Sequence, residues 1–119
     1  MKSFRELIVW QKAHALTLGV YAASSQFPKS EIYGLTSQMR RAAASIPANI
    51  AEGCGKDGDA DFARYLQIAM GSASELDYHL LLAHDLGFLC DTDYAALDEK
   101  TQEVKRMLVV FIKKLKANR

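Results

Sequence analysis

The chain of 119 residues has only two prolines, Pro28 and Pro47, and seven glycines, which lie mainly outside its periodic segments. Its two cysteines, Cys54 and Cys90, lie far apart and form no CxxC pair. Two lone thiols exclude a disulfide framework and fit a reducing compartment. No run approaches the roughly 18 apolar residues of a membrane span. The opening Met1-Lys2-Ser3-Phe4-Arg5-Glu6 lacks the apolar stretch and small-residue cleavage site of a secretory leader. The expected location is the cytoplasm, without a membrane partner. A surplus of one charge sign is missing as well: 15 Lys/Arg against 14 Asp/Glu leave +1, so nucleic acid would have to be met by a local patch.

What is present is a helical repeat in four segments. Val9, Ala13, Leu16, Val20, Ala23 and Phe27 alternate steps of four and three. So do Leu35, Met39, Ala42, Ile46, Asn49 and Gly53, then Phe62, Leu66, Ala69, Ala73, Leu76, Leu80, Ala83 and Gly87. Tyr94, Leu97, Thr101, Val104, Leu108, Phe111 and Leu115 form the fourth set. A 4-3 repeat keeps one stripe on one partner, as in bundles with shallow crossing angles. Short connections make sequential helices antiparallel neighbours. The expectation is an all-α chain, one domain over 1–119: an antiparallel up-down four-helix bundle.

Boundary signals fit that plan. Ser3-x-x-Glu6 reads as a capping box and Phe27-Pro28 as the end of the first helix. Gly34 and Thr36 mark the start of the second. Gly53-Cys54-Gly55-Lys56-Asp57-Gly58 reads as a loop that leaves Cys54 the more exposed thiol, with Asp57 or Asp59 capping the third helix. Gly87 reads as the residue closing the third helix, and Asp91 or Thr92 as the cap of the fourth. Pro47 falls inside the second helix, where it removes a donor and clashes with the Ala43 carbonyl, so a kink is expected. Asn49, on the same stripe, is a candidate partner for that freed carbonyl.

Catalytic patterns are scarce. A di-iron bundle needs Glu-x-x-His on two helices, and none occurs around His14, His79 or His84. Glu75 and His79 share a helix face, which reads as a polar pair. There is no nucleophile elbow and no Gly-rich phosphate loop. No enzyme activity, cofactor, metal or small-molecule substrate is expected.

Two surface features call for partners. Met107-Leu108-Val109-Val110-Phe111-Ile112 covers every side of a helix, and only one side can face the core. Leu7, Ile8, Trp10 and Tyr21 add apolar surface off the first stripe, and Met70, Leu81, Leu82 and Leu86 off the third. Exposed apolar surface of this extent marks association, so Trp10, Met107, Val109, Val110 and Ile112 are the expected self-association surface. Arg40 and Arg41, about 100° apart on a helix, cannot both face the core; one is expected to pair with a carboxylate such as Glu52 or Glu75. Arg40 and Arg41, with Lys113, Lys114 and Lys116, which close the last helix with Arg119, are the candidate contacts for RNA or DNA.

Several stretches resemble the bacterial four-helix-bundle proteins of the 23S rRNA intervening-sequence family. They are Val9-Trp10-Gln11-Lys12, Tyr33-Gly34-Leu35-Thr36-Ser37-Gln38, Arg40-Arg41-Ala42, Gly71-Ser72-x-x-Glu75-Leu76 and, most specifically, Ser45-Ile46-Pro47-Ala48-Asn49-Ile50-Ala51-Glu52-Gly53. The resemblance makes Arg40, Arg41, Pro47, Asn49, Glu52 and Gly53 the family-motif positions. It implies an up-down bundle assembling as a homopentamer. Such a protein would act as a scaffold or partner-binding module, or alternatively as an accessory that binds RNA or DNA, or a nucleic-acid enzyme, through a basic surface on the ring. The accessory variability protein of diversity-generating retroelements is similar in fold.

Overall fold

The computed structural model describes residues 3–117, which leaves Met1, Lys2, Asn118 and Arg119 outside the description. Four α-helices follow one another: α1 (Ile8–Ser24), α2 (Leu35–Cys54), α3 (Asp59–Asp85) and α4 (Asp91–Ala117). They pack in cyclic order, each against its two sequence neighbours and α4 back against α1, with α2–α3 the most extensive contact. The up-down bundle measures 46 × 23 × 20 Å. The 4-3 stripes form its core: Leu16, Val20, Met39, Ile46, Leu66, Leu76, Leu80, Val104 and Leu108 are all fully buried. Asn49 and Ala23 lie only half-buried at the stripe edges, and Ile50 and Ser24 are the buried residues one position on.

Several boundaries differ from the sequence reading, each for a local reason. Ser3 caps a separate 3-10 turn over Phe4–Glu6, accepting the Arg5 amide at 3.2 Å, and α1 begins only after an extended Leu7. The first helix stops at Ser24, ahead of Phe27-Pro28. There the Ala22 carbonyl accepts both the Ser25 amide at 3.4 Å and Ser25 Oγ at 2.7 Å, and the Tyr21 carbonyl accepts Ser24 Oγ at 3.3 Å. At the start of α2 the Glu31 carboxylate accepts the Leu35 amide at 3.0 Å, a capping role that Thr36 does not fill.

The largest change concerns Gly53 and Cys54. Both are buried and helical, and the loop shrinks to the residues between Cys54 and Asp59. The turn lies later because Gly53 serves contact between helices: a Cβ there would stand 2.7 Å from Tyr65 Cβ and 3.0 Å from the Phe62 ring. The exposed thiol is therefore Cys90, while Cys54 is buried. Neither Asp57 nor Asp59 caps α3; Gly58 holds the cap position without a side-chain bond, and Asp59 and Asp61 occupy the first turn. There they complement the helix dipole.

Gly87 closes α3 as expected. At φ +80° it adopts the left-handed conformation, with the Phe88 amide on the Ala83 carbonyl (2.9 Å) and the Gly87 amide on that of His84 (3.0 Å). These are the two bonds of a Schellman motif.

α2 runs from Leu35 to Cys54 through the buried Pro47. Without a proline N–H, the Ala43 carbonyl four residues earlier lacks its helical donor. The donor comes from another helix: Thr17 Oγ1 on α1 lies 3.0 Å from the Ala43 carbonyl and 2.9 Å from that of Ala13 in its own helix. Asn49, expected to serve Ala43, instead donates to the Ser45 carbonyl at 2.8 Å. Helix geometry explains the difference, since Asn49 lies beyond the proline and reaches back one turn to Ser45, while Ala43 faces α1.

Two tests follow from this packing. Gly53→Ala should lower stability in urea unfolding by about 1–3 kcal/mol through overpacking. Gly71→Ala, whose added Cβ meets nothing within 4 Å, should raise it by roughly 0.5–1 kcal/mol through helix propensity. Thr17→Val keeps the shape but leaves the Ala43 carbonyl unsatisfied, at a cost of about 1–3 kcal/mol. In a Pro47→Ala background the restored amide serves that carbonyl, so the Thr17→Val penalty should shrink. Additive effects in the double-mutant cycle would refute the coupling.

Candidate functional site

The family-motif residues line the seam between α2 and α3 and its margins. On α2, Arg41, Ser45, Asn49 and Gly53 recur at steps of four, which stacks them along one face of the helix. Arg41 Nη2 donates to Glu75 Oε2 at 2.7 Å and to Gln38 Oε1 at 2.8 Å. One turn down, Ser45 Oγ and Ser72 Oγ are 2.8 Å apart, and Asn49 Nδ2 donates to Ser45 Oγ at 3.0 Å. Below these, Gly53 meets Tyr65 and Phe62 directly. Pro47 is buried and Glu52 is exposed at the margin. Arg40 points the other way, toward α1: its Nε donates to Ser24 Oγ at 2.8 Å, its Nη2 to the Tyr21 carbonyl at 3.3 Å, and its guanidinium lies over the Tyr21 ring at 4.7 Å. Each arginine thus fixes a helix pair.

The basic residues singled out from the sequence do not gather into one face. Lys113, Lys114 and Lys116 are exposed near the end of α4, below the contact of Phe111 with Phe62 (5.1 Å between ring centroids). Arg41 lies level with Glu75. At 1.5 Å per residue, Phe62 and Glu75 are about 20 Å apart along α3, so the two groups occupy different halves of the molecule, and Arg40 and Arg41 are already engaged. No group of three or more His, Cys, Asp or Glu among the described residues could hold a metal ion. No helix among them is long and apolar enough to cross a membrane.

His79 sits in the same α2–α3 margin. Its Nε2 is 3.7 Å from Glu75, and its buried Nδ1 finds no hydrogen-bond partner among the described residues. Burial pushes this imidazole below its ordinary pKa of 6.5; Glu75 opposes the shift and Arg41 reinforces it.

The apolar surface around α4 is the other distinctive region. Val110 is 66% exposed and Val109 39%. Trp10, Met107 and Ile112 are half-buried and pack against the core, and Trp10 is further covered by the Phe4 ring at 4.9 Å. The exposed part of the expected surface is thus the α4 edge. A groove of about 450 Å³ runs along one side of that edge between α1 and α4. Its apolar lining comes from Leu7, Ile8, Val9, Met107, Val110 and Phe111, with Arg106 and Lys114 at the rim. Ile8, one of the apolar residues off the first stripe, is 57% exposed there. On the other side, Met70, Gln102, Lys105 and Val109 line a second groove that shares Arg106 and Val110. The paired grooves are not legible in a helical repeat because they are formed between helices, not within one.

Fold and seam define a bundle whose most specific residues hold helices together. The chain belongs to the 23S rRNA-intervening sequence protein family, whose model matches residues 5–110. A similar solved structure is a protein of unknown function from the S23 ribosomal protein family of Bacteroides thetaiotaomicron. The two share 25% identity at a TM-score of 0.80, over 89% of this chain and 99% of that one. No curated protein matches the chain.

His79 gives a test of the margin. The fold disfavours its charged form, so its contribution to stability is complete above the unfolded value of about 6.5 and is lost as pH falls through 6.5 toward the depressed folded value. His79→Gln should flatten the stability profile from denaturant melts on that acid side. An unchanged slope would show that His79 does not titrate as its burial requires.

Proposed function

We propose that the protein is a non-enzymatic subunit of a cytoplasmic homo-oligomer that serves as a scaffold or partner-binding module, five being the copy number its family resemblance implies. The observation that carries this reading is the α4 edge. Ile8, Val109 and Val110 stay exposed after the core is complete, and grooves lie on both sides of them. At roughly 25 cal/mol per Å² of apolar surface, leaving such a face in water forgoes stabilisation that a second copy recovers. The motif residues add support of a different kind. Arg41, Ser45, Asn49 and Gly53 are occupied in holding α2 against α3, which suits a rigid building block better than a reaction site.

Light scattering at micromolar concentration tests the reading. The wild-type protein should give a multiple of its 13.2 kDa chain mass. Val110→Asp, which places a charge on an exposed position, should lower that mass while leaving the helical circular dichroism unchanged. A wild-type monomer would refute the proposal.

A further inference from the structure

The end of the bundle away from the α1–α4 groove carries a polar cluster that neither the motif nor the oligomer reading uses. His84 stands in the last turn of α3 and Asp91 opens α4, with the Gly87 corner between them. His84 Nε2 lies 2.6 Å from Asp91 Oδ1, across that corner. Its Nδ1 lies 3.4 Å from Asp85 Oδ1. The imidazole stacks on the Tyr94 ring of α4 at 4.5 Å and 23°.

Both ring nitrogens therefore face carboxylate oxygens, which only accept. A neutral imidazole carries one N–H and can serve one of them; an imidazolium serves both. The position favours the cation further, because the last turn of a helix is its negative end. Asp91, one of the two residues expected to cap α4, is itself the first residue of that helix and is engaged by His84, and the first bond of α4 is made by the Tyr94 amide to the Cys90 carbonyl at 2.9 Å.

We propose that His84 is a proton-operated clasp: as imidazolium it ties the start of α4 to the end of α3, and on losing its proton it releases one carboxylate and loosens this corner of the bundle. The groups facing it are Asp85 on its own helix and Asp91 and Tyr94 on α4. The bond to Asp91 is the leading cause of a raised His84 pKa; partial desolvation opposes it, and Asp85 adds to it. Tyr94 does not compete for the proton, because burial and then Asp98, Asp77 and Asp85 hold its phenol neutral to higher pH than usual. The sign of the linkage is opposite to that of His79. A raised folded value means the clasp is fully formed below the unfolded value of about 6.5 and is lost as pH rises through the folded value.

An NMR titration of the full chain, read at the imidazole of His84 and at the amides of Asp91 to Tyr94, tests the clasp. The His84 midpoint should lie above that of an ordinary histidine, and Asp91→Asn should move it down further than Asp85→Asn does. Hydrogen-exchange protection of the first α4 turn should decline as His84 deprotonates. In His84→Arg, whose charge is fixed, that protection should persist across the same range; in His84→Gln it should be lost throughout. A midpoint at or below the ordinary value, or one unmoved by Asp91→Asn, overturns the proposal, as does protection that ignores the titration. If His84→Gln proves too unstable to study, the Asp91→Asn and His84→Arg titrations decide the matter alone.

Discussion

The close approach of α2 to α3 is the constraint on which the rest of the bundle depends. It requires a residue without a side chain where Gly53 meets Tyr65 and Phe62, and small hydroxyls where Ser45 meets Ser72. With the helices this near, polar groups along their margin come within reach of each other. Arg41 with Glu75 and Asn49 with Ser45 do so. The half-exposed Arg41–Glu75 pair adds modestly to stability, on the order of 0–1 kcal/mol; its larger effect is to fix the register of two otherwise alanine-rich surfaces. α1 and α4 then close the square against this rigid pair.

The two ends of the molecule are finished in different ways. At one end apolar grooves lie on either side of α4, and Ile8 and Val110 are exposed. At the other, a Schellman turn and a cluster of charges close α3 onto α4. The first is suited to permanent contact with another surface. The second responds to solvent. His79 and His84, five residues apart on one helix, shift in opposite directions because one is buried beside an arginine and the other is bracketed by carboxylates.

Much of this was legible in the sequence. The 4-3 spacing of Leu66, Ala69, Ala73, Leu76, Leu80 and Ala83 marks a core stripe, and all six are buried. The Gly87 closure was legible because a glycine at the end of a periodic segment has one common use. What escaped was set by contacts between helices. Three glycines in six residues read as a loop, yet Gly53 is helical because Tyr65 leaves no room for a side chain. Asn49 was the nearer candidate for the Ala43 carbonyl in sequence, but Thr17 is nearer in space. Asp91 has the side chain of a helix cap and is engaged by a histidine seven residues earlier. Arg40 and Arg41 were legible in part: the 100° between them separates their roles, and one pairs with Glu75 as expected, while the turn of the other toward Ser24 and Tyr21 was not foreseen.

The bond from Thr17 to the Ala43 carbonyl bears on how the chain assembles. A helix interrupted by proline cannot satisfy its own backbone, so α2 by itself is an incomplete hydrogen-bonded unit, and completion is supplied from α1. Finishing the second helix and docking the first become one event. With α1 detached, water would serve that carbonyl in place of Thr17, so docking α1 exchanges a bond to solvent for one inside the bundle. The proline thereby turns a bond that an uninterrupted helix would keep to itself into a contact between two helices.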